Sequence, residues 1–158
     1  FANHYYRVAL GHIVGRIVVY LYGKPKEKSY LNIINEYYKR LKGRGISLSY
    51  YSDKNKYIDY ENMLLNLKGN LIIIDENGEE LSSKALSILI SKIILDHTTT
   101  NFALGPPDGF SEEFKSKIHQ SISLSPMTFP HEMAASIFIE QLYRATEIIK
   151  GTTYHREW

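Results

Sequence analysis

Three side chains capable of chemistry stand together near the end of this chain: Tyr154, His155 and Arg156, behind a segment that carries Arg144. An imidazole accepts or donates a proton near neutral pH. A guanidinium holds phosphate or steadies developing negative charge, and a phenol ring stacks on a nucleobase. Packing rarely calls for all three on an exposed tail. Two structural readings stay open beside the chemical one: the tail is unstructured, and Arg144 serves an ion pair, since Glu140 and Glu147 lie at helical spacings from it.

A second constellation comes from three loops, Ile74–Gly78, Gly105–Gly109 and Ser123–Thr128. Each follows a segment that reads as a strand, and ligands of open α/β sheets collect beyond the carboxyl ends of strands. Taken singly, each loop is also an ordinary strand-to-helix turn. Other chemistries lack their residues. No G-x-G-x-x-G follows a strand, no G-x-x-x-x-G-K-[ST] exists, and His131-Glu132 lacks the second His of H-E-x-x-H. With zero Cys, thiol catalysis, disulfides and Cys-ligated zinc are excluded, and no metal site is expected.

The elements that must position these residues are legible in outline. Ile17–Tyr22 is β-branched and aromatic, a buried strand. A helical stripe follows at Tyr30, Ile33, Ile34, Tyr37, Tyr38 and Leu41, ended by Gly43 and Gly45. Ile46–Tyr51 reads as a strand, Ser52–Lys56 as a loop and Asp59–Leu67 as a short helix. Asn70–Asp75 is an apolar strand closed by Glu76-Asn77-Gly78. A helix over Ser82–Leu95 precedes a strand over Thr98–Leu104, and Ser111 is an N-cap with Glu112 and Glu113 in the first turn. Ser121–Leu124 is a last strand. Pro130 falls in the first turn of the final helix, whose expected buried stripe is Ala134, Ile137, Phe138, Gln141, Ala145, Ile148 and Ile149. Alternating strands and helices predict an α/β fold with a mostly parallel sheet.

At 158 residues the chain is one domain by size. No apolar run is long enough to span a bilayer, so no membrane partner is expected and a soluble, cytoplasmic protein is the simplest reading. The net charge of +2 hides an asymmetry: residues 1–69 hold twelve Lys/Arg against five Asp/Glu, and residues 70–158 seven against twelve. Lys24, Lys26 and Lys28, then Lys39, Arg40, Lys42 and Arg44, form basic clusters. They read either as a solvated helix face or as a patch that tracks nucleic-acid phosphates.

Four linked motifs carry a resemblance: Ser123-Leu124-Ser125, Thr128-Phe129-Pro130-His131, Glu140-Gln141-Leu142-Tyr143-Arg144-Ala145 and Tyr154-His155-Arg156. In this order they resemble the C-terminus of the RlmH family, SPOUT-superfamily methyltransferases acting on a pseudouridine of large-subunit ribosomal RNA. The resemblance begins near Arg16, which leaves residues 1–15 as an N-terminal extension, native or added, before a single SPOUT domain over 16–158. It implies a parallel sheet flanked by helices with a C-terminal deep trefoil knot, which ordinary topology rules would reject. It also implies a homodimer with the active site at its interface, S-adenosyl-L-methionine as cofactor, and methylation of N3 of a pseudouridine in large-subunit rRNA. On that resemblance the cofactor-binding residues are Ile74, Gly105, Pro106, Ser123, Leu124, Ser125, Pro126, Met127, Thr128 and Phe129. The catalytic residues are Arg144, Tyr154, His155 and Arg156.

One departure stands out. Family members carry Gly-Gly in the second loop where this chain has Gly105-Pro106. Proline offers neither the freedom nor the N–H of a second glycine. One alternative follows, a non-catalytic rRNA-binding assembly factor; a separate one is a SPOUT methyltransferase acting on another RNA such as tRNA.

Overall fold

The computed structural model describes residues 16–157; the extension expected over 1–15 lies outside the described residues, as does Trp158. Among the described residues five strands and five helices alternate: β1 Ile17–Tyr22, α1 Lys28–Arg40, β2 Ile46–Tyr51, α2 Tyr57–Leu65, β3 Asn70–Glu80, α3 Ser83–Leu95, β4 Thr100–Leu104, α4 Glu112–Ser116, β5 Gln120–Ser123 and α5 His131–Lys150. The strands form one sheet in the order β2-β1-β4-β3-β5, and each pairing is parallel.

Alternation along the strands explains the layering, because successive side chains point to opposite faces. Val19, Leu21, Ile72, Ile74, Phe102 and Leu104 join one buried cluster with α1, α3 and α5. Their neighbours Tyr22, Ile73 and Ala103 join the other, with Tyr60 and Leu64 of α2 and Phe114 of α4. The sheet is therefore covered on both sides, as its unbroken apolar runs require.

Several boundaries differ from the sequence expectation for identifiable reasons. The second helix begins at Tyr57 instead of Asp59, because the Lys56 carbonyl already accepts from the Asp59 and Tyr60 N–H groups. Ser82 is a cap, its hydroxyl accepting from the Ala85 N–H at 3.0 Å. β4 starts at Thr100; before it, Asp96 bonds the Thr98 N–H at 3.0 Å in a local turn. β5 runs Gln120–Ser123, one residue earlier than expected. Pro130 is the N-cap of α5, just outside its first turn. Ile34 of α1 and Leu41 at its C-cap are buried as expected, whereas Ile33 is 41% exposed.

Two differences matter for the site. β3 does not stop at Asp75. Ile122 pairs with both Ile74 and Glu79, so residues 75–78 loop out and the strand resumes to Glu80. Gly78 permits this: a Cβ there would lie 2.7 Å from the Ile122 backbone. Such bulges re-aim side chains beside sites. The buried face of α5 is also rotated from the expected stripe. Ala135, Phe138, Ile139, Leu142, Ala145 and Ile149 are buried, while Ala134, Ile137, Gln141 and Ile148 are half-buried on the flank.

Candidate functional site

The three loops converge. At the bulge of β3 and beyond the carboxyl ends of β4 and β5 they enclose a cleft of about 300 Å³. Ile74, Leu104, Leu124 and Phe129 give it apolar walls, and Asp75, Glu76 and Asp108 add carboxylates. Apolar walls with several convergent polar groups are a form that small-molecule sites take.

Each loop is locally self-determined and then tied to its neighbours. In the first, Asp75 accepts from the Asn77 N–H at 3.2 Å and faces Lys115 at 3.9 Å. In the second, the Gly109 N–H donates to the Pro106 carbonyl at 2.8 Å, closing a turn with Pro107 and Asp108 at its centre. Proline, aspartate and a glycine at φ +80° are the residues that turn favours. Helix α2 holds this loop from behind. The Tyr60 hydroxyl donates to the Leu104 carbonyl at 2.8 Å, and the Tyr57 hydroxyl to Asp108 at 3.1 Å. Burial pushes the Tyr60 hydroxyl pKa well up, which keeps it a donor. In the third loop the Met127 N–H donates to the Ser125 hydroxyl at 3.0 Å and the Ser123 hydroxyl to the Ser125 carbonyl at 2.9 Å. Thr128 donates to Glu76 at 2.6 Å, joining the first and third loops.

Eight of the ten expected cofactor residues line this cleft: Ile74, Gly105, Pro106, Leu124, Ser125, Met127, Thr128 and Phe129. Pro126 is exposed and does not. Ser123 is buried and lines a neighbouring cavity of about 140 Å³ instead, with Ile137 and Gln141. Pro106 is buried, while Met127 stands 74% exposed at the rim. The structure adds lining residues that had no expected role: His131, Ala134 and the three carboxylates. His131 lay inside the Thr-Phe-Pro-His motif, but its half-buried place could not be read from type and spacing. Burial lowers its pKa from the usual histidine value, against smaller opposing effects of Glu132 and of its hydrogen bond to the Gly105 backbone.

The tail forms a second, separate cluster on the C-terminal half of α5. Arg144 donates through Nε and Nη2 to Glu140 Oε1 at 3.1 and 2.8 Å, and its Nη1 lies 3.2 Å from His155 Nδ1. Tyr154 donates to the same Glu140 oxygen at 3.0 Å. Its ring meets Tyr143 edge-on at 4.8 Å and lies 4.9 Å from the Arg144 guanidinium carbon. Burial first, then the hydrogen bonds to Tyr37 and Glu140, raise the Tyr154 hydroxyl pKa well above its usual value. Arg156 is exposed. The tail is thus folded back on its own helix, and Glu140 is the partner of Arg144. Glu147 instead takes Arg44 at 3.3 Å, whose side chain is only 15% exposed. That corrects the sequence reading of Arg44 as part of the outer basic patch.

Among the described residues no cluster of His, Asp and Glu is arranged to hold a metal ion, and no helix is long and apolar enough to cross a membrane.

A family model described as a predicted SPOUT methyltransferase matches residues 16–155. The chain is 37% identical to the ribosomal RNA large subunit methyltransferase H of Prochlorococcus marinus (strain MIT 9515), over 89% of this chain and 96% of that one. It is 39% identical to the protein of the same name from strain MIT 9211, over 85% and 91%. The namesake of Coprothermobacter proteolyticus is 37% identical over 85% and 94%. With its parallel α/β sheet and a match running from β1 to the tail, the chain belongs to the SPOUT methyltransferases, within the family of ribosomal RNA large subunit methyltransferase H.

Proposed function

We propose that this protein methylates N3 of a pseudouridine in large-subunit ribosomal RNA, using S-adenosylmethionine bound in the three-loop cleft. The observation that carries the reading is the convergence of loops 74–78, 105–109 and 123–128 on one pocket of about 300 Å³, in a chain of this family. The pocket suits the cofactor chemically: apolar Leu124 and Phe129 flank a space for an aromatic base, and Asp75, Glu76 and Asp108 suit a ligand bearing positive charge. When bound, the cofactor supplies an electrophilic methyl group on a sulfonium that departs as a neutral thioether. The chain's own contribution is to hold the reacting nitrogen in line and to ease loss of the imide proton, whose negative charge spreads onto the flanking carbonyls. Arg144, His155 and Arg156 are the groups for that task, with Tyr154 beside them.

The same geometry supports a homodimeric site. Arg144 lies ten residues along α5 from Ala134 at the cleft, about 15 Å of helix, and His155 rests against Arg144. One chain's tail and its own cleft therefore serve different ends of the helix. In a dimer packed through the half-buried flank of Ala134, Ile137, Gln141 and Ile148, each tail meets the partner's cleft. The family also supports a single domain over 16–158, a knotted C-terminal path, and action in the cytoplasm on the ribosome. Exposed Lys24, Lys28, Lys39 and Lys42 suit contact with rRNA phosphates.

Calorimetric titration with S-adenosylmethionine, followed by methylation of ribosomal subunits, tests the reading. Micromolar saturable binding and methyl transfer to pseudouridine N3 are expected. Absence of binding in a folded dimer sinks it in favour of a non-catalytic assembly factor. Transfer to tRNA alone would reassign the substrate.

A further inference from the structure

We propose that His155 acts as a hydrogen-bond donor through Nε2–H, locked in that tautomer by Arg144, and does not act as the base that removes the substrate proton. This rests on the functional reading above and deepens it.

Donor and acceptor inventories decide the tautomer. Arginine carries only N–H donors, whereas each nitrogen of a neutral imidazole is either a donor or an acceptor. Arg144 Nη1 lies 3.2 Å from His155 Nδ1. A proton on Nδ1 would set two donors against each other, so Nδ1 presents its lone pair and the ring proton sits on Nε2. The bond is not a chance meeting of two mobile side chains. The other two guanidinium nitrogens, Nε and Nη2, are both held on Glu140 Oε1, which fixes the plane of the fork and aims Nη1. Tyr154 braces the same oxygen from the other side at 3.0 Å, with its ring held by Tyr143 and beside the guanidinium. Glu140 and Tyr154 are positioning residues in this arrangement, and Tyr154 is committed to the cradle.

The consequence is chemical. To act as a base, His155 must offer a lone pair at Nε2, which needs the proton on Nδ1 where Arg144 already donates. Accepting a second proton would instead place an imidazolium N–H against the guanidinium. As a donor, by contrast, the ring needs no rearrangement. Among the described residues, the charged group facing Nε2 is Glu157, 4.0 Å away on an exposed side chain, beyond hydrogen-bond distance. Nε2–H is thus available for a carbonyl oxygen flanking the reacting nitrogen, the position where negative charge grows as the imide proton leaves for solvent. A preorganised donor at such an oxygen contributes about 10²–10³ in rate.

Two measurements test this on the full chain. In the first, long-range proton–nitrogen spectra of ¹⁵N-histidine-labelled protein at neutral pH read the ring tautomer, with His155 picked out from the six His by comparison with His155→Ala. An unprotonated Nδ1 and protonated Nε2 are expected, with the preference relaxing in Arg144→Met; protonated Nδ1 in the wild type overturns the proposal. The second compares turnover on ribosomal subunits for His155→Ala and His155→Gln, whose amide N–H falls close to the Nε2 position. A loss of about 10²–10³ for Ala, at least tenfold relieved in Gln, is expected. Gln as inactive as Ala overturns the donor assignment. If the wild type itself transfers no methyl group, the functional reading fails, while the tautomer spectrum still decides the Arg144–His155 relationship.

Discussion

Glu61 of α2 accepts both the backbone N–H of Ser111 at 2.8 Å and its hydroxyl at 2.9 Å, fifty residues away in sequence. Glu61 is 4% exposed, and Ser111 in turn caps α4 through the Phe114 N–H. One buried acid therefore anchors the end of the second cleft loop. Glu61→Ala leaves buried donors without partners. It should cost about 3 kcal/mol, each bond to a charged group being worth about 1.5–3 kcal/mol, and should also weaken cofactor binding. Denaturant melts and calorimetry read both; an unchanged melt would leave Glu61 incidental.

Pro106 is the departure within that loop. Pro106→Gly supplies a backbone N–H at the cleft wall and should tighten S-adenosylmethionine binding about fivefold, the equivalent of one added hydrogen bond of about 1 kcal/mol. It should lower stability by about 0.4–1 kcal/mol, because glycine enlarges the unfolded ensemble. Weaker binding would show that the buried proline ring shapes the pocket.

His131 makes the cleft acid-sensitive. Its folded pKa lies below the unfolded value of 6.5, so the unfolded chain takes the proton first as pH falls. The stability associated with neutral His131 is complete above about pH 6.5 and is lost as pH drops toward the folded pKa. Melting temperature should therefore fall more steeply below pH 6.5 in the wild type than in His131→Gln. Parallel curves would remove His131 as the titrating group.

Arg156 is exposed at the tip of the folded tail, so it can meet substrate without holding the cleft together. Arg156→Ala should lower methyl transfer to ribosomal RNA by one to two orders of magnitude, about the 1.5–3 kcal/mol of a charged hydrogen bond. Cofactor affinity should barely change. Full turnover would strike it from the site.

Charge reversal at Lys39, Arg40 and Lys42 should weaken RNA binding and flatten its salt dependence, by about 0.7–0.9 in the log–log slope for each phosphate no longer neutralised. Arg40 is already paired with Glu36 at 3.1 Å, so the larger part should come from the two lysines. An unchanged slope would make the patch a solvated face. Arg44 does not belong in this test: its partner Glu147 is buried, and reversal there would break the α5 packing.

Much of this protein is written locally. The apolar cores of β1 and β3, the five helices in outline and the Ser111 cap depend on neighbours a few residues away, and they stand where residue type and spacing put them. The three loops were legible as a site for the same reason: each follows the apolar core of a strand, and parallel strands deliver those ends to one edge, although the first proved to be a bulge after which β3 resumes. The chain's family was legible in four short motifs. Tertiary structure decided everything that rests on neighbours distant in sequence. The phase of α5 shifted because α1 and α3 pack along it and Phe138 meets Phe102 of β4, a choice that a helix apolar on more than one side leaves open. Arg44 reads like its basic neighbours until Glu147, far along the chain, draws it inward. Arg144 had two glutamates at helical spacing, and its own helix pitch favoured neither. The fold gave Glu147 to Arg44, left Glu140 to Arg144, and so turned the guanidinium toward His155.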